Sequence, residues 1–447
     1  MENSFYVLLA VLVPLSVLVF ILTEYDILNP VCIVTSLMTL SVFLATTKIE
    51  RWHLYMSADA SLLIISSLIC FIIGGLWADW QIKQNINGVP VAKENCVYMI
   101  SNRGLVLMSL IILILGYFQY REFYDASILL GNKSGPLDFS SMIKAIRPSV
   151  ERETFRFSRW DAYRGIIAQM LVFCSTFVFF QRIVFNYKRF GLIYNLKYFI
   201  PVISYLPFFA CSTGRTLPLD YILFALLVGA IIFQIKTGFS VNGKIKIIGI
   251  FICCGALFFL LFLGLGLLSG KVRIGGRPPY EILVHYVGLS MPAFTEFLEQ
   301  VRIETPYIGN TTLYGIYNNL NRLGAGLPPV KLFLPFVYFN DISTNVYTMM
   351  ARYINDYGYV GMHLIMSIIS MVFVVFYDYI RLISKKMDCI PYYALLPMTL
   401  FFATNDDRFL SQVINTATLY RFVCLYLAFK IFVAKKDDDK ALINGSK

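Results

Sequence analysis

Long stretches without a charged residue recur along this chain, and they constrain its fold more than any other feature. An α-helix needs about 20 predominantly apolar residues to cross the hydrocarbon core of a bilayer. One such stretch, 409–433, is interrupted only by Arg421 and Lys430. The others carry no charge at all and cover 3–23, 27–47, 60–78, 104–120, 165–181, 198–214, 221–235, 247–270, 357–377 and 389–405. The pattern predicts an all-α, polytopic transmembrane helical bundle with about 11 spans.

The composition excludes a soluble domain built around a single core. The 447 residues are 58% hydrophobic and 15% charged, whereas about 25% of the residues of a soluble domain are charged. Most of the 9 Cys lie inside apolar stretches and none forms a C-x-x-C pair, which favours packing residues over a disulfide framework. The 3 His are far apart in the sequence, so we expect no metal site.

Two long polar segments, 121–164 and 268–356, separate the apolar stretches. We expect them to be outer loops of a single membrane domain over 1–434, followed by a polar cytoplasmic tail at 435–447. Clusters of Lys and Arg in five short connections or ends indicate the cytoplasmic side. Segment 121–164 conflicts with this rule because it carries eight basic residues against six acidic ones. We keep it outside because the second half of the chain is more consistent with that orientation.

The net charge of +11 suits anionic partners, either lipid head groups or a phosphate-bearing substrate. Arg215 stands at the boundary of an apolar stretch in the sequence Ser-Thr-Gly-Arg, and Pro218 fits the first turn of the helix that follows. Its guanidinium can extend to lipid head groups, or it can bind a phosphate through two parallel hydrogen bonds. A neighbouring helix N-terminus would favour the phosphate.

The sequence GKVRIGGRPPYEILVHYVG, 270–288, begins the second outer loop with the closely spaced cations Lys271, Arg273 and Arg277. Glu281 and His285 follow, four residues apart, and would share one face of a helix. A carboxylate beside an imidazole can orient it and raise its basicity, as a general base requires. The alternative is an interfacial loop with an incidental histidine.

A third polar segment, STNVYTMMARYINDYGYVG at 343–361, precedes an apolar stretch. Arg352 and Asp356 are four residues apart and could form an ion pair on one helical face, or serve a site. Tyr347 and two further tyrosines could form an interfacial aromatic belt or stack on sugar rings. The later sequence Asp-Asp-Arg at 406–408 is expected to be a capped, self-paired turn.

Three of these segments resemble one family, the bacterial oligosaccharide repeat-unit polymerases of O-antigen and capsular polysaccharide. STGRTLPLDYILFALLVG resembles the family's Gly-x-Arg turn and the following helix, and HYVGLSMPAFTEFLEQ is similar to the segment after its central span. TNVYTMMARYINDYGYVG resembles its Thr-Asn-x-Tyr-Thr and Tyr-x-Asp-x-Gly-x-x-Gly segment. The resemblance covers roughly 190–410. The turn lacks the family's second glycine, because Thr216 follows Arg215.

The resemblance implies a GT-C-like glycosyltransferase of lipopolysaccharide or other surface polysaccharide biosynthesis, which acts at the periplasmic face of the inner membrane. It would transfer the growing glycan from undecaprenyl pyrophosphate to the terminal sugar of the next lipid-linked repeat unit. It implies no cofactor, no metal and no nucleic acid, and it implies membrane lipid and a chain-length-regulating co-polymerase as partners. The resemblance and the residue chemistry together give the candidate roles: pyrophosphate binding by Arg215, Arg273, Arg277 and Arg352, catalysis by His285, Glu281 or Asp356, and glycan binding by Tyr280, Asn345 and Tyr347.

Three other functions remain open at the level of sequence. A flippase or exporter of the lipid-linked unit would place charges near the bilayer midplane within the bundle. An O-antigen ligase would use the same donor with another acceptor. A structural membrane subunit would need none of the clustered cations. The grouping of charges near one face of the spans favours an enzyme with an outward site.

Overall fold

We describe the protein from a computed structural model, which covers residues 4–86, 96–151, 154–212, 216–268, 278–300, 307–328, 334–384 and 386–437. The described chain is mostly helical, with 76% of it in helices and few strands. Its internal contacts divide it into two compact units. Unit 1 combines Met1–Ala92, Pro278–Lys385 and Leu395–Thr418, and unit 2 combines Lys93–Arg277, Lys386–Ala394 and Leu419–Lys447.

Unit 1 is built on four long helices and several short elements. The long helices are α1 (Phe5–Leu22), α2 (Pro30–Thr46), α4 (Ala58–Asn85) and α15 (Met349–Asp378). The short helices are α3 (Ile49–Trp52), α12 (Pro279–Leu283), which continues as a π turn at Val284–Gly288, α13 (Ser290–Glu299) and α14 (Tyr314–Arg322). Strands β2 (Val337–Phe339) and β3 (Ile342–Thr344) form an antiparallel hairpin before α15.

Glycines allow the two longest helices of unit 1 to pack closely. A Cβ on Gly74 of α4 would lie 2.6 Å from the carbonyl oxygen of Ser367 in α15. A Cβ on Gly75 would lie 2.4 Å from Ser370 Oγ and 2.3 Å from a methyl group of Val31 in α2. Small residues permit this backbone approach, which is the usual basis of helix association in membranes.

The polar connections of unit 1 gather at two ends. At one end, called the site end, residues 47–57 contact residues 278–289 and 337–357. Residues 337–357 also contact residues 307–314 and 403–411. Lys48 Nζ binds Glu281 at 2.9 Å, and Asn340 Nδ2 donates to the backbone oxygen of Arg51 at 3.1 Å.

At the other end, called the far end, 23–29 meets 79–85 and 377–383. Glu24 binds Lys83 Nζ at 2.9 Å and Arg381 at 3.0 Å, and Tyr377 donates to Asp26 at 2.5 Å. Because α4 is 28 residues long, about 1.5 Å of rise per residue separates the two ends by about 40 Å.

Helical turns at Pro397–Phe402 and Phe409–Val413 also belong to unit 1, and the other elements lie wholly or mainly in unit 2. They are β1 (Cys96–Ile100), α5 (Asn102–Leu129), α6 (Phe139–Glu151), α7 (Arg159–Asn195), α8 (Ile200–Ser204), α9 (Leu206–Ala210), α10 (Thr216–Lys236), α11 (Val241–Leu268), α16 (Ile390–Leu395), α17 (Thr416–Phe432) and β4 (Val433–Asp437). Strand β4 pairs antiparallel with β1, so the beginning of the predicted tail is a paired strand.

The expectation of an all-α membrane protein is confirmed in its coarse form. Within the described ranges, 6 helices are long and apolar enough to cross a membrane. The predicted stretch 198–214 differs, because a 3₁₀ turn, α8 and α9 divide it into pieces of 4–5 residues. Pro201 and Pro207 begin the two short helices, and a proline cannot donate the backbone hydrogen bond that would continue the preceding one.

Much of the predicted outer loop 121–164 is helical. Helix α5 continues to Leu129, α7 begins at Arg159, and α6 lies between them. The apolar side of α6, including Met142 and Ile146, packs on Phe123 of α5 and on Cys211, while Lys144 is exposed. This amphipathic pattern buries an apolar stripe against the protein.

Candidate functional site

Arg352 lies at the start of α15 and is almost fully buried, with 3% of its surface exposed. Its Nε donates to Asp406 Oδ1 at 2.5 Å and its second terminal nitrogen to Oδ2 at 3.2 Å. The remaining terminal nitrogen donates to the carbonyl oxygen of Thr311 at 3.2 Å. The ion pair suggested by the spacing to Asp356 is therefore replaced by a bidentate pair with Asp406. Such a pair fixes orientation as well as charge.

Asp356 instead anchors the loop 311–312. Its carboxylate accepts the backbone N–H of Thr311 at 2.9 Å and that of Thr312 at 2.7 Å. The hydroxyl groups of the same two threonines donate to it at 3.0 and 2.8 Å, and Asn355 Nδ2 donates at 3.2 Å. Arg352 binds the carbonyl oxygen of Thr311, and Asp356, one helical turn later, binds the N–H groups of Thr311 and Thr312. The two side chains therefore fix both the acceptor and the donor groups of this segment.

A break in α15 follows this network at Gly358. Its backbone has φ 68° and ψ −173°, a conformation that is essentially restricted to glycine. A Cβ on Gly361, one turn later, would lie 2.4 Å from the Cβ of Tyr357. The two glycines of the Gly-x-x-Gly sequence therefore make the bend that turns Asp356 and Tyr357 toward Thr312, whose hydroxyl is 2.9 Å from the phenolic oxygen of Tyr357.

Asp407 is buried beside Asp406 and binds other groups. It accepts the hydroxyl of Tyr353 at 2.7 Å and the backbone N–H of Phe409 at 2.9 Å, and N–H groups of the next two residues also donate to it. Burial raises the pKa of Asp407 to about 6. The negative charge of Asp406 also raises this pKa, whereas the hydrogen bond from Tyr353 lowers it. The turn 406–408 is thus capped as expected, with the backbone N–H of Asp407 donating to Asp406, but the acidic side chains bind Arg352 and Tyr353 of α15.

A second polar cluster at the site end surrounds Glu281 of α12. Glu281 is fully buried and binds Lys48 at 2.9 Å, and it also binds Arg51. Tyr280 contacts Lys48 through its hydroxyl group and its ring, whose centroid lies 4.2 Å from Nζ. Burial opposes ionisation, but Lys48 and Arg51 hold the pKa of Glu281 below its usual range. The described contacts of Glu281 join it to these residues and not to His285.

His285 lies in the π turn that continues α12 and is half-buried. Its ring centroid is 5.1 Å from that of Tyr286. Tyr280 is half-exposed, as an interfacial contact would require. Tyr347 is buried, donates to the carbonyl oxygen of Pro335 at 2.7 Å and packs on Phe297, so its ring has no free face for a sugar.

Asn345 is half-buried in the turn between β3 and α15. No hydrogen bond of its side chain to another described residue is present, so the amide could serve a ligand. Arg215, Arg273 and Arg277 lie outside the described residues, as do Lys271 and the two glycines at 275–276.

The structure adds residues that the sequence pattern did not identify. Thr311 and Thr312 belong to the site because they donate hydrogen bonds to Asp356, and Asp406 belongs to it because it binds Arg352. Lys48 and Arg51 carried a usable signal, because two basic residues in a connection expected on the outer side depart from the positive-inside rule. Asp406 retains 39% exposure of its side chain, which makes it the open carboxylate of a network whose Arg352 is enclosed.

The fold and this network define a multi-pass helical membrane protein with a buried arginine–carboxylate network at one end of a compact unit. Comparison of the chain with protein-family models, with curated proteins and with solved structures finds no match.

Proposed function

We propose that the protein is a glycosyltransferase that polymerises lipid-linked repeat units of a surface polysaccharide. The donor is a growing glycan on undecaprenyl pyrophosphate and the acceptor is the terminal sugar of the next lipid-linked unit. In this proposal the chain has about eleven spans in a GT-C-like plan, resides in the bacterial inner membrane, and reacts at the periplasmic face, with a co-polymerase that sets chain length.

The observation that carries the proposal is the network of Arg352, Asp356, Asp406 and Thr311–Thr312 at the site end. Polar residues of 343–361, which carries the resemblance, converge there on two other segments, where Arg352, Asp356 and Tyr357 are hydrogen-bonded. A rigid arrangement of this kind is what a site needs to hold reacting groups in place. A solvated interfacial loop would leave the same side chains to water.

The geometry refines the proposed roles. Arg352 is a positioning residue, because Asp406 and Thr311 use its donors, and Asp356 is likewise an anchor for the loop. The pyrophosphate would be bound by Arg215, Arg273 and Arg277, whose charge would stabilise the leaving group in the transition state.

The acceptor hydroxyl needs a hydrogen-bond partner or base. His285 is retained as the first candidate, and Asp406 joins it because its carboxylate is partly exposed. Glu281 is assigned to holding Lys48 and Arg51, since no part of it is exposed. It anchors the chain four residues after Arg277. Tyr280 and Asn345 remain candidates for glycan contact, and Tyr347 supports the turn beside them.

The test is the length distribution of surface polysaccharide in a strain that lacks this protein and is complemented with variants. Wild type should restore long chains, whereas the empty strain should carry one repeat unit on its acceptor. Arg215→Ala and Arg277→Ala should behave like the empty strain at normal protein abundance. Arg103→Ala, which removes an exposed arginine at the start of α5, is the matched control and should behave like wild type.

Two outcomes would contradict the proposal. If no unit reaches the acceptor and units accumulate on the lipid carrier, flipping or ligation is the function. If the polysaccharide of the deletion strain is unchanged, the protein acts elsewhere. A further variant, Arg352→Lys, tests the positioning role of Arg352. It keeps the positive charge but loses the bidentate geometry, so both the polysaccharide chain length and the protein abundance should decrease.

A further inference from the structure

Asp378, the last residue of α15, is fully buried at the far end of unit 1. Neither of its carboxylate oxygens has a hydrogen-bond partner among the described residues. An isolated ionised carboxylate is very costly to bury, and buried charges in membrane helices are paired or bind an ion. The position therefore requires a positive charge or a proton.

The nearest group is another carboxyl group. Asp79 of α4 lies within hydrogen-bonding reach of Asp378, and its Oδ1 is also buried without a partner. Its Oδ2 binds Lys83 at 2.9 Å. Two ionised carboxylates can only accept hydrogen bonds, so they cannot bond to each other. A single proton between them supplies the missing donor and removes one of two adjacent negative charges.

The cations around the pair are shared with other carboxylates. Lys83 binds both Asp79 and Glu24, and Arg381 on the turn after α15 binds Glu24 at 3.0 Å. Among the described residues, Asp26 and Tyr377 also face this region, and they bind each other at 2.5 Å.

Among the described residues of the far end, four carboxyl groups meet two cations: Glu24, Asp26, Asp79 and Asp378 face Lys83 and Arg381. Among the described residues, no group of three or more His, Cys, Asp or Glu side chains has the placement of a metal site. A proton fits the pair directly, because one protonated carboxyl group can donate a hydrogen bond to the other.

We propose that Asp79 and Asp378 form a proton-binding site, in which one shared proton closes the contact between α4 and α15 at the far end. The site is independent of the proposed polymerase activity and lies at the opposite end of unit 1 from the Arg352 network. Gly74 and Gly75 bring the same two helices together about one turn before Asp79. Loss of the proton places two negative charges at the end of this close contact and weakens it.

The test uses the purified full-length protein in detergent, with thermal unfolding measured from about pH 5 to pH 9. Because the folded state retains a proton that the unfolded chain releases, wild-type Tm should fall as pH rises. Asp378→Asn resembles the protonated carboxyl and donates to Asp79. Its Tm should equal or exceed that of wild type at high pH, and its fall with rising pH should be smaller than that of wild type by the contribution of the Asp79–Asp378 proton. Asp59→Asn, at an exposed position of α4, the helix that carries Asp79, should retain the wild-type profile.

A second measurement does not depend on the stability of one variant. The infrared spectrum of wild type at neutral pH should contain a protonated-carboxyl C=O band that is absent from Asp378→Asn or, if that variant does not fold, from Asp79→Asn. A Tm for Asp378→Asn far below wild type at every pH would overturn the proposal. So would a rise of wild-type Tm with Na⁺ or Mg²⁺ at fixed ionic strength that Asp378→Asn abolishes, because the ligand would then be a metal cation.

Discussion

Gly358 divides α15 between the Arg352 network and the long apolar part of the helix. Apart from its chain neighbours and the adjacent backbone of its own helix, no described atom lies within 4 Å of the position that a Cβ would take, so a methyl group would not clash with another element. The constraint is the backbone, with φ 68° and ψ −173°. Gly358→Ala therefore isolates the cost of the backbone conformation from that of packing.

The expected magnitude follows from that conformation. A non-glycine residue held in such a region costs about 1–3 kcal/mol. If the chain avoids this cost by becoming helical through residue 358, the direction of the preceding turn changes and Asp356 loses its hydrogen bonds to Thr311 and Thr312. Either route destabilises unit 1.

Gly165→Ala makes the same chemical change inside the regular helix α7, where a Cβ also meets nothing within 4 Å. Alanine is favoured over glycine in a helix interior by about 0.5–1 kcal/mol, so this control should be neutral or stabilised. The two variants should therefore change stability in opposite directions. The free energy of unfolding in detergent, followed by tryptophan fluorescence through a denaturant titration, provides the comparison. Gly358→Ala as stable as Gly165→Ala would refute the assignment of strain to this position.

Three further predictions concern carboxylates of the site end. Asp356→Asn should lower the free energy of unfolding by about 2–3 kcal/mol in the same titration, because hydrogen bonds to a charged group are worth about 1.5–3 kcal/mol. Asp341→Asn, at an exposed position, is the control and should change this free energy little. The pKa of Asp407 rises from 3.8 in the unfolded chain to about 6 in the folded protein, so the folded state binds more protons. The free energy of unfolding should therefore fall by up to about 3 kcal/mol as pH rises from 4 to 7. Asp407→Asn should remove that part of the pH dependence, and an unchanged profile would contradict the prediction. Glu281→Gln leaves Lys48 buried without its ionised partner and should cost about 3–5 kcal/mol, a loss that a second change, Lys48→Met, should partly reverse in a double-mutant cycle.

Part of the candidate site could be read from the sequence because it depends on local spacing. The Gly-x-x-Gly sequence at 358–361 was noted only as part of the resemblance, and the structure has positive φ at its first glycine. The concentration of polar residues at 343–361 marked the segment that forms the network. The partner of Arg352 could not be read in this way, since Asp406 is 54 residues away and competes with a locally favourable residue four positions on.

The sequence by itself determined that the chain is helical and multi-pass, because apolar length and backbone hydrogen bonding leave few other solutions in a bilayer. Only the tertiary structure decided the partners of the buried charges: Arg352 binds Asp406, and Asp356 binds Thr311 and Thr312. The reason is physical, since charge type is local information, whereas the cost of burying a charge depends on which distant group lies beside it in the folded chain.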